Sequence, residues 1–288
     1  MIRSHEGLSL NGVRLSAPMT PRHPPALRVV IIASGQDYQE AAAWAAPTFA
    51  RNLPESKNVS VLLPDQEAVI DPLEDHSLKF GFQIERFPLL AAKDEMFTSP
   101  LKCQAFLFAV SHLHPDELLF LVDADTCCLK PLHVAPEIEA EIVQGKIGLA
   151  PDIEDRHFQK ETDPWYLAPE ERTPYVNSGV ILAAATSLDL FKSFQELSEQ
   201  PLFLHGPFHD QKVINFALGK QFRNRLVLLD NIYNGINPFL SARTLIAHFA
   251  GGAGFLGSQA RKAAHQELCC GLLNTCPSIS DPRPPSRG

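Results

Sequence analysis

Residues 118–129 read LLFLVDADTCCL and give the strongest indication of the fold, because an apolar run ends abruptly there in two aspartates. A run this apolar predicts a strand buried on both faces, as in a parallel sheet. Such sheets bind their ligands at the carboxyl ends of the strands, which is where Asp123 and Asp125 stand. In extended chain both carboxylates project to the same side, with only the small Ala124 between them. Converging carboxylates suit a hard divalent cation that also contacts substrate phosphates.

A D-x-D string also occurs in ordinary solvated turns after strands, where aspartate is a favoured residue. The strongly apolar strand before the string and the continuation through Leu129 and Leu132 favour the interpretation as a site. Asp123 and Asp125 are therefore the first candidates for the working centre of the chain.

Composition narrows the class of protein. With 288 residues and 45% hydrophobic residues, the chain can bury a substantial core. The net charge of −8 argues against a nucleic-acid partner. No stretch approaches the roughly 18 apolar residues of a membrane span, and residues 1–18 lack the apolar core of a secretory signal, so a cytoplasmic location is expected.

The cysteines do not indicate a zinc site. They stand at positions 103, 127, 128, 269, 270 and 276, without the paired CxxC spacing of zinc ligands. Two adjacent pairs are awkward for a disulfide scaffold in a chain this long, so reduced thiols are expected. Cys127 and Cys128 lie near the proposed cation, but thiolates suit softer metals, and the two are interpreted as packing residues.

The chain is predicted to form one α/β domain over residues 26–273, with a loose leader over 1–25 and a disordered tail over 274–288. Strands alternate with helices, which is typical of βαβ units and a mainly parallel sheet. The predicted strands cover 27–33, 59–63, 82–87, 118–123, 146–151, 175–183, 225–229 and 244–249. The predicted helices cover 38–52, 99–112, 136–144 and 209–218, where Gly219 ends the last, and one helix carries Leu190, Phe191, Phe194 and Leu197 on one face.

Five segments match one protein family in the same order: LLFLVDADTCCLKPL, IGLAPD, YVNSGVILA, HDQKVIN and AHFAGG. Over about residues 27–257 the chain resembles family 8 of the GT-A glycosyltransferases, the group of glycogenins and bacterial lipopolysaccharide galactosyl- and glucosyltransferases. The resemblance implies a GT-A fold, a single Rossmann-like domain with a mainly parallel central sheet flanked by helices. It also implies manganese- or magnesium-dependent transfer of a hexose from a UDP-sugar with retention of anomeric configuration.

The same resemblance implies a metal site. Asp123 and Asp125 match the two carboxylates of the family motif, and His248 matches the histidine of a late H-x-x-G motif that ends at Gly251. Such a metal neutralises the charge that builds on a departing nucleoside diphosphate. The alternative for His248 is an ordinary core or loop histidine after an apolar run.

Nucleotide contacts are implied along the first half of the chain. Tyr38 matches a position that stacks on the base, although a tyrosine packed on the core is the alternative. Lys102 stands in the first turn of a predicted helix, where the helix dipole disfavours a cation, and a nearby diphosphate would explain it. The nucleotide contacts that the resemblance implies are Ala33, Ser34, Gln36, Asp37, Tyr38, Asp65, Lys102, Ala124 and Gly251.

Sugar contacts are implied in two later motifs. Asn177, Ser178 and Gly179 match a signature that lines the sugar pocket, and polar residues opening a buried strand need partners. Asp210 and Gln211 match a catalytic pair beside the transferred sugar, with sugar binding expected for Asp210 and positioning for Gln211. The alternative for Asp210 is a capping or first-turn residue of its helix.

Two departures from the family pattern concern the diphosphate and the acceptor. Residues 252–255 read GAGF where relatives carry a lysine that contacts the diphosphate, so that contact is either weaker here or supplied by Lys102, Arg261 or Lys262. Residues 152–173, with Trp165 and Tyr166, are specific to this chain, so the acceptor (a sugar, lipid-linked or protein group) is not carried over. Two other functions stay open: a non-catalytic sugar-nucleotide-binding protein, and a sugar-phosphate nucleotidyltransferase, which usually has a Gly-rich basic loop that IIASGQDYQ lacks.

Overall fold

The computed structural model of the protein describes residues 25–55, 58–89, 99–153, 167–200, 203, 209–249 and 258–274. The leader before residue 25, the tail after residue 274, Trp165, Tyr166 and Gly251 lie outside these ranges. Within them, no helix combines the length and the hydropathy that a membrane span requires.

Ten strands and seven α-helices are formed by the described residues. The strands are β1 (Ala26–Ile32), β2 (Val59–Pro64), β3 (Gln83–Phe87), β4 (Glu117–Asp123), β5 (Thr126–Cys128), β6 (Ile147–Pro151), β7 (Val176–Ala184), β8 (Leu226–Leu228), β9 (Gly235–Ile236) and β10 (Ile246–His248). The helices are α1 (Gln36–Asn52), α2 (Asp71–Phe80), α3 (Ser99–Ser111), α4 (Pro136–Ile142), α5 (Leu188–Ser198), α6 (His209–Lys220) and α7 (Gln259–Leu273).

The central sheet has seven strands in the order β3-β2-β1-β4-β7-β6-β8. The pairs β1–β2, β2–β3, β1–β4 and β6–β8 are parallel, and only β7 runs against both of its neighbours. The prediction of a mainly parallel α/β sheet is therefore confirmed.

Both faces of this sheet are covered by helices, which explains the continuous apolar strands. Along β1, Val29 and Ile31 belong to a core shared with α1, α2 and α7, whereas Val30 and Ile32 belong to a core shared with α3, α5 and α6. A strand with one face in each core has no solvated side, so its sequence cannot alternate between apolar and polar residues.

The reversed direction of β7 brings its first residues to the working end of the sheet. Because Val180 pairs with Val122, residues 177–179 lie beside the point where β4 ends at Asp123. Pro151 at the end of β6 pairs with Val176 for the same reason. Polar residues at the start of β7 and at the ends of β4 and β6 therefore collect at one edge.

A small second sheet, β5-β10-β9, completes this edge. β10 pairs antiparallel with β5 and parallel with β9, which sets His248 opposite Thr126 on one side and Ile236 on the other. His248 thus lies next to the aspartates of the β4–β5 turn, although more than a hundred residues separate them in the sequence.

Four predicted helix boundaries differ from the structure by one or two residues: α3 ends at Ser111 instead of 112, α4 ends at Ile142 instead of 144, and the other two concern α1 and α6. α1 begins at Gln36, two residues earlier than predicted. α6 does not end at Gly219 but continues to Lys220. An added Cβ at Gly219 would lie 2.6 Å from Leu167 Cδ1 and 2.7 Å from the Glu171 carbonyl oxygen. The glycine is therefore required by close packing against residues 167–171, and it does not terminate the helix.

Two helices were absent from the sequence prediction. α2 has Pro72 in its first turn and ends at Gly81, which adopts a left-handed φ of 76°. Its one fully buried side chain is Leu73, so it has almost no apolar stripe to reveal it. α7 packs on α1, and its buried residues include Cys269, which belongs to the same core as α1.

Candidate active site

The acidic cluster consists of Asp123, Asp125 and His248, whose ligand atoms lie within 4.8 Å of one another. His248 Nε2 is 3.4 Å from Asp125 Oδ1 and 3.9 Å from Asp123 Oδ2. Asp125 and His248 are buried, and the Asp123 side chain keeps 25% of its exposure. The three residues that the resemblance implies as metal ligands therefore lie together, and the cluster opens to one side through Asp123.

The backbone beneath the acidic cluster is held from three directions. Thr126 Oγ1 donates a hydrogen bond of 2.7 Å to the carbonyl oxygen of Asp123. The amide of Phe249 donates to the carbonyl oxygen of Asp125 at 3.0 Å. His265 from α7 donates through Nε2 to the carbonyl oxygen of Thr126 at 2.9 Å. The two carboxylates therefore project from a turn whose backbone oxygens are already paired.

The imidazole of His248 is fixed on its other side by an amide network. His248 Nδ1 lies 2.9 Å from Asn234 Oδ1, and Asn234 Nδ2 donates to Asn177 Oδ1 at 2.9 Å. Asn177 Oδ1 also accepts from the backbone amide of Gly179 at 2.8 Å. The ring packs so closely on Gly179 that an added Cβ there would lie 2.0 Å from His248 Cε1. Gly179 therefore makes room for the histidine.

Charge attraction within the cluster shifts two pKa values in opposite directions. Burial opposes ionisation of Asp125, but attraction and hydrogen bonding to His248 outweigh it, so the pKa of Asp125 is lowered. Burial also opposes protonation of His248, but Asp125 and then Asp123 outweigh it and raise the pKa of His248. The cluster therefore attracts a cation to the point between the ring nitrogen and the carboxylates, whether a proton or a metal ion.

A second network is built from charges. Lys102 in the first turn of α3 lies 2.7 Å from Asp123 Oδ1 and 2.8 Å from Asp210 Oδ2. Ser178 Oγ donates to the same Asp210 oxygen at 2.6 Å. Burial lowers the pKa of Lys102, but the two carboxylates overcome that effect and raise it, so the ammonium stays charged. Two carboxylates of the protein itself thus explain a cation at this helix start.

These residues fit a divalent metal ion. The site carries a negative charge on each of Asp123, Asp125 and Asp210 and a positive charge on Lys102. When His248 is neutral, the net charge is therefore −2. Ligand atoms held about 2.1 Å from one ion lie roughly 3 to 4 Å apart, which is the range of the separations from His248 Nε2. The two carboxylates offer hard oxygen ligands, and the imidazole adds a nitrogen ligand of the kind that divalent transition metals accept.

Gln211 is held by a residue that the sequence analysis gave no role. Its Nε2 donates to Asp152 Oδ2 at 2.7 Å, while its Oε1 accepts from the backbone amide of Ser178 at 3.4 Å. Asp152 directly follows β6, and Gln211 is in the first turn of α6. The amide of Gln211 is therefore oriented across the end of the sheet, next to the Asp210 carboxylate.

The loop after β1 has its own acidic partner. Glu67 accepts hydrogen bonds from Ser34 Oγ, from the amide of Gly35 at 2.8 Å and from Gln39 Nε2 at 3.2 Å. Tyr38, on the next turn, is half-buried, and burial followed by the charges of Asp125 and Asp123 raises its pKa. The start of α1 therefore faces the acidic cluster.

The other predicted contact residues lie at the same edge with different exposure. Ala33 and Ala124 are buried, whereas Asp65 is exposed and its backbone amide donates to Phe87 at 3.0 Å. Asn177, Ser178 and Gly179 each contact another site residue, so their expected sugar contacts stay predictions. Gly251 lies outside the described residues.

Three residues of the site were missed: Asn234, Asp152 and Glu67. Asn234 follows a 3-10 turn in a stretch without periodicity, and nothing in the sequence marks it as a partner of His248. Asp152 had a usable signal, because it follows the IGLAP strand as Asp123 follows its own strand. Glu67 had none beyond its place in a turn after β2.

Solved structures with the same architecture are glycosyltransferases. The galactosyltransferase LgtC, solved with donor and acceptor sugar analogs, matches with a TM-score of 0.58 and 15% identity over 88% of this chain and 98% of its own. Mouse xyloside xylosyltransferase 1 matches with a TM-score of 0.50 and 14% identity over 78% of this chain and 98% of its own. This chain has the GT-A glycosyltransferase fold.

A third structure with this GT-A fold is the bifunctional glycosyltransferase WbbM, with a TM-score of 0.52, 13% identity, and coverage of 81% of this chain and 47% of its own. No family model matches the sequence, and no curated protein matches it either. The similarity therefore concerns the arrangement of the strands and helices.

Proposed function

We propose that the protein is a metal-dependent glycosyltransferase that transfers a hexose from a UDP-sugar to an acceptor with retention of anomeric configuration. The observation that supports this is the convergence of Asp123, Asp125 and His248 at the carboxyl end of β4 in a GT-A fold. Ligands of open α/β sheets bind at this end of the strands.

In this proposal, Asp123, Asp125 and His248 would hold manganese or magnesium. When bound, the ion would neutralise the charge that develops on the departing diphosphate. Lys102 keeps a positive charge beside Asp123, where it adds to the attraction for a diphosphate. Residues 252–255, where relatives carry a lysine, lie outside the described residues.

The sugar would lie against the residues around Asp210 and Gln211. Ser178 and Lys102 both contact Asp210 Oδ2 and hold this carboxylate, which would bind sugar hydroxyls. Gln211, held by Asp152, would position the anomeric carbon. The uracil and ribose would contact the loop after β1, including Ser34, and Tyr38 would pack on the base.

Donor hydrolysis tests this proposal directly. The purified protein is incubated with a panel of UDP-sugars with and without Mn²⁺, and UDP release is measured. We expect release from at least one UDP-hexose that depends on Mn²⁺. The variant Asp125→Asn, which keeps the shape but removes the charge, should lose at least about 100-fold in rate because a ligand carboxylate is gone.

Three results would contradict parts of the proposal. Titration calorimetry that detects no UDP binding in the presence of Mn²⁺ would exclude the sugar-nucleotide site. UDP binding with equal, background turnover in wild type and Asp125→Asn would identify a non-catalytic binding protein. Formation of pyrophosphate from UTP and a hexose 1-phosphate would identify a nucleotidyltransferase.

The stereochemical part has a separate readout. When the donor is an α-linked UDP-hexose, retention predicts that the freed sugar first appears as the α-anomer. Proton NMR of the anomeric signals, recorded before mutarotation equilibrates them, measures this directly. An initial excess of the β-anomer would show inversion and leave the donor chemistry intact.

A further inference from the structure

The amide network behind His248 fixes which ring nitrogen carries the proton. Its starting point is the backbone amide of Gly179, which can only donate, and which donates to Asn177 at 2.8 Å. The accepting atom of Asn177 must therefore be its carbonyl oxygen. This assignment removes the usual ambiguity between oxygen and nitrogen in an asparagine side chain.

The assignment passes from Asn177 to Asn234. The atom of Asn234 that faces the Asn177 oxygen at 2.9 Å must be a donor, so it is the NH₂ group. The other atom of the Asn234 amide is then the carbonyl oxygen, and it faces His248 Nδ1 at 2.9 Å. An oxygen in this position requires a proton on Nδ1, which leaves the lone pair of a neutral ring on Nε2.

The lone pair on Nε2 faces the carboxylates of Asp123 and Asp125. Without a cation between them, the Nε2 lone pair, Asp123 Oδ2 and Asp125 Oδ1 repel one another. All three side chains of this amide network are buried, with relative exposures of 3% for His248, 2% for Asn234 and 6% for Asn177. Water therefore does not offer an equivalent hydrogen-bond partner. The protein thus maintains the one tautomer that can bind a metal through Nε2.

We propose that Asn234, itself oriented by Asn177 and the Gly179 amide, is the positioning residue that fixes the tautomer and direction of His248 as a metal ligand. This inference rests on the metal site of the proposed function. Turning the ring over would set the carbon Cδ2 against the Asn234 oxygen and lose this hydrogen bond, so the ring cannot compensate in that way. Partners of this kind typically account for a 10- to 100-fold effect on metal affinity.

The experiment measures Mn²⁺ affinity and the tautomer separately. Asn234→Leu removes the acceptor at similar volume, and its Mn²⁺ affinity, measured from the EPR signal of free Mn²⁺, should fall about 10- to 100-fold. Asn234→Asp keeps an oxygen facing Nδ1 and should lose markedly less. Asn177→Leu, which leaves Asn234 free to turn its amide over, should resemble Asn234→Leu.

A second buried asparagine serves as the matched control. Asn215 in α6 is fully buried and forms hydrogen bonds to the backbone of Val176 in β7. It does not contact Asn177, Asn234 or His248 of the amide network. Asn215→Leu should destabilise the fold and leave the Mn²⁺ affinity within about threefold of wild type. A comparable loss in Asn215→Leu and Asn234→Leu would reduce Asn234 to a structural role and overturn the inference.

The tautomer readout separates this inference from the proposed function. Nitrogen NMR of the His248 ring in the metal-free wild type, recorded at alkaline pH where the ring is neutral, should show Nδ1–H, and the Asn234→Leu protein should show more Nε2–H. Nε2–H in the wild type overturns the inference even when Mn²⁺ binds. Nδ1–H in a protein that binds no Mn²⁺ supports the positioning role and refutes the metal site. The wild-type spectrum decides the question if Asn234→Leu does not fold.

Discussion

Two hydrogen-bonded networks meet at the acidic cluster, and they are built from different chemistry. On one side, neutral amides run from Gly179 through Asn177 and Asn234 to His248. On the other side, the charged Lys102 lies between Asp123 and Asp210. An amide chain is fixed by donor and acceptor geometry and stays the same whatever ion is bound. A charged bridge depends on the total charge around it and must respond when a divalent ion arrives.

The two networks have different tasks in the site. The neutral network holds His248 in place without adding charge to the cluster. In the charged network, Lys102 offsets the repulsion between the carboxylates of Asp123 and Asp210. Each network can be broken alone, because its residues contact the cluster from opposite sides through His248 and Asp123.

The largest expected effect comes from breaking the charged network. In Lys102→Met, Asp123 and Asp210 lose their shared cation, and the free energy of unfolding without metal should fall by about 3 kcal/mol. This is the lower end for a broken buried pair, because the two carboxylate side chains keep 25% and 17% of their exposure. Denaturant unfolding with and without Mn²⁺ measures the change, and Mn²⁺ should stabilise the variant more than it stabilises the wild type.

An exposed lysine provides the control for this variant. Lys192 on α5 is exposed, and Lys192→Met should change the free energy of unfolding by less than about 0.5 kcal/mol. Equal stabilisation by Mn²⁺ in Lys102→Met and wild type would show that the ammonium and the metal ion do not act on the same carboxylates.

A smaller effect is expected where the neutral network is broken by crowding. Gly179→Ala introduces a Cβ 2.0 Å from His248 Cε1, so the ring must shift from its position in the cluster. We expect weaker Mn²⁺ binding and a loss of about 2 kcal/mol in the free energy of unfolding, the typical result of overpacking. Calorimetric titration with Mn²⁺ and chemical denaturation check the two parts.

Gly271 in α7 offers a matched glycine. An added Cβ there has no atom within 4 Å, so Gly271→Ala should be neutral or up to about 1 kcal/mol more stable, since alanine favours a helix. Wild-type Mn²⁺ affinity in Gly179→Ala would mean that the ring can shift without leaving its ligand position.

The smallest effect is expected beside both networks, at the contact between Asp152 and Gln211. Asp152→Ala removes the acceptor at 2.7 Å from Gln211 Nε2, and donor hydrolysis should fall about tenfold in kcat, because only the positioning of one amide is lost. UDP and Mn²⁺ affinities should stay unchanged. Asp152→Asn, which retains an oxygen acceptor, should recover most of the rate, and a rate as low as that of Asp152→Ala would instead assign the effect to the lost charge.

The sequence predicted those features of the fold that appear in it as continuous patterns of apolar or polar residues. The apolar run of β4 predicted a strand buried on both faces, and it has one face in each core. Lys102 was recognisable as a misplaced cation at a helix start, yet its cause, two carboxylates from β4 and α6, appears only when the strands are paired. Likewise, the polar start of β7 was visible, but its place beside Asp123 follows from the antiparallel register.

Other features could not be predicted from the sequence, because they depend on single contacts between residues. Asn234 bonds to His248 across 14 positions, inside irregular chain that no periodicity describes. α7 carries polar residues on most of its surface, and it is anchored by a few buried residues such as Cys269 and His265. Gly219 appeared to end a helix, because a glycine required by close packing has the same sequence signature as one that ends a helix.

α6 holds both borders of residues 154–166. Before this stretch, Asp152 is bonded to Gln211 at the start of the helix. After it, Leu167 packs against Gly219, and Glu171 forms a 2.5 Å ion pair with Lys220 at the end of the helix. One helix therefore anchors the chain on both sides of this stretch, through its first turn before residue 154 and through its last turn after residue 166.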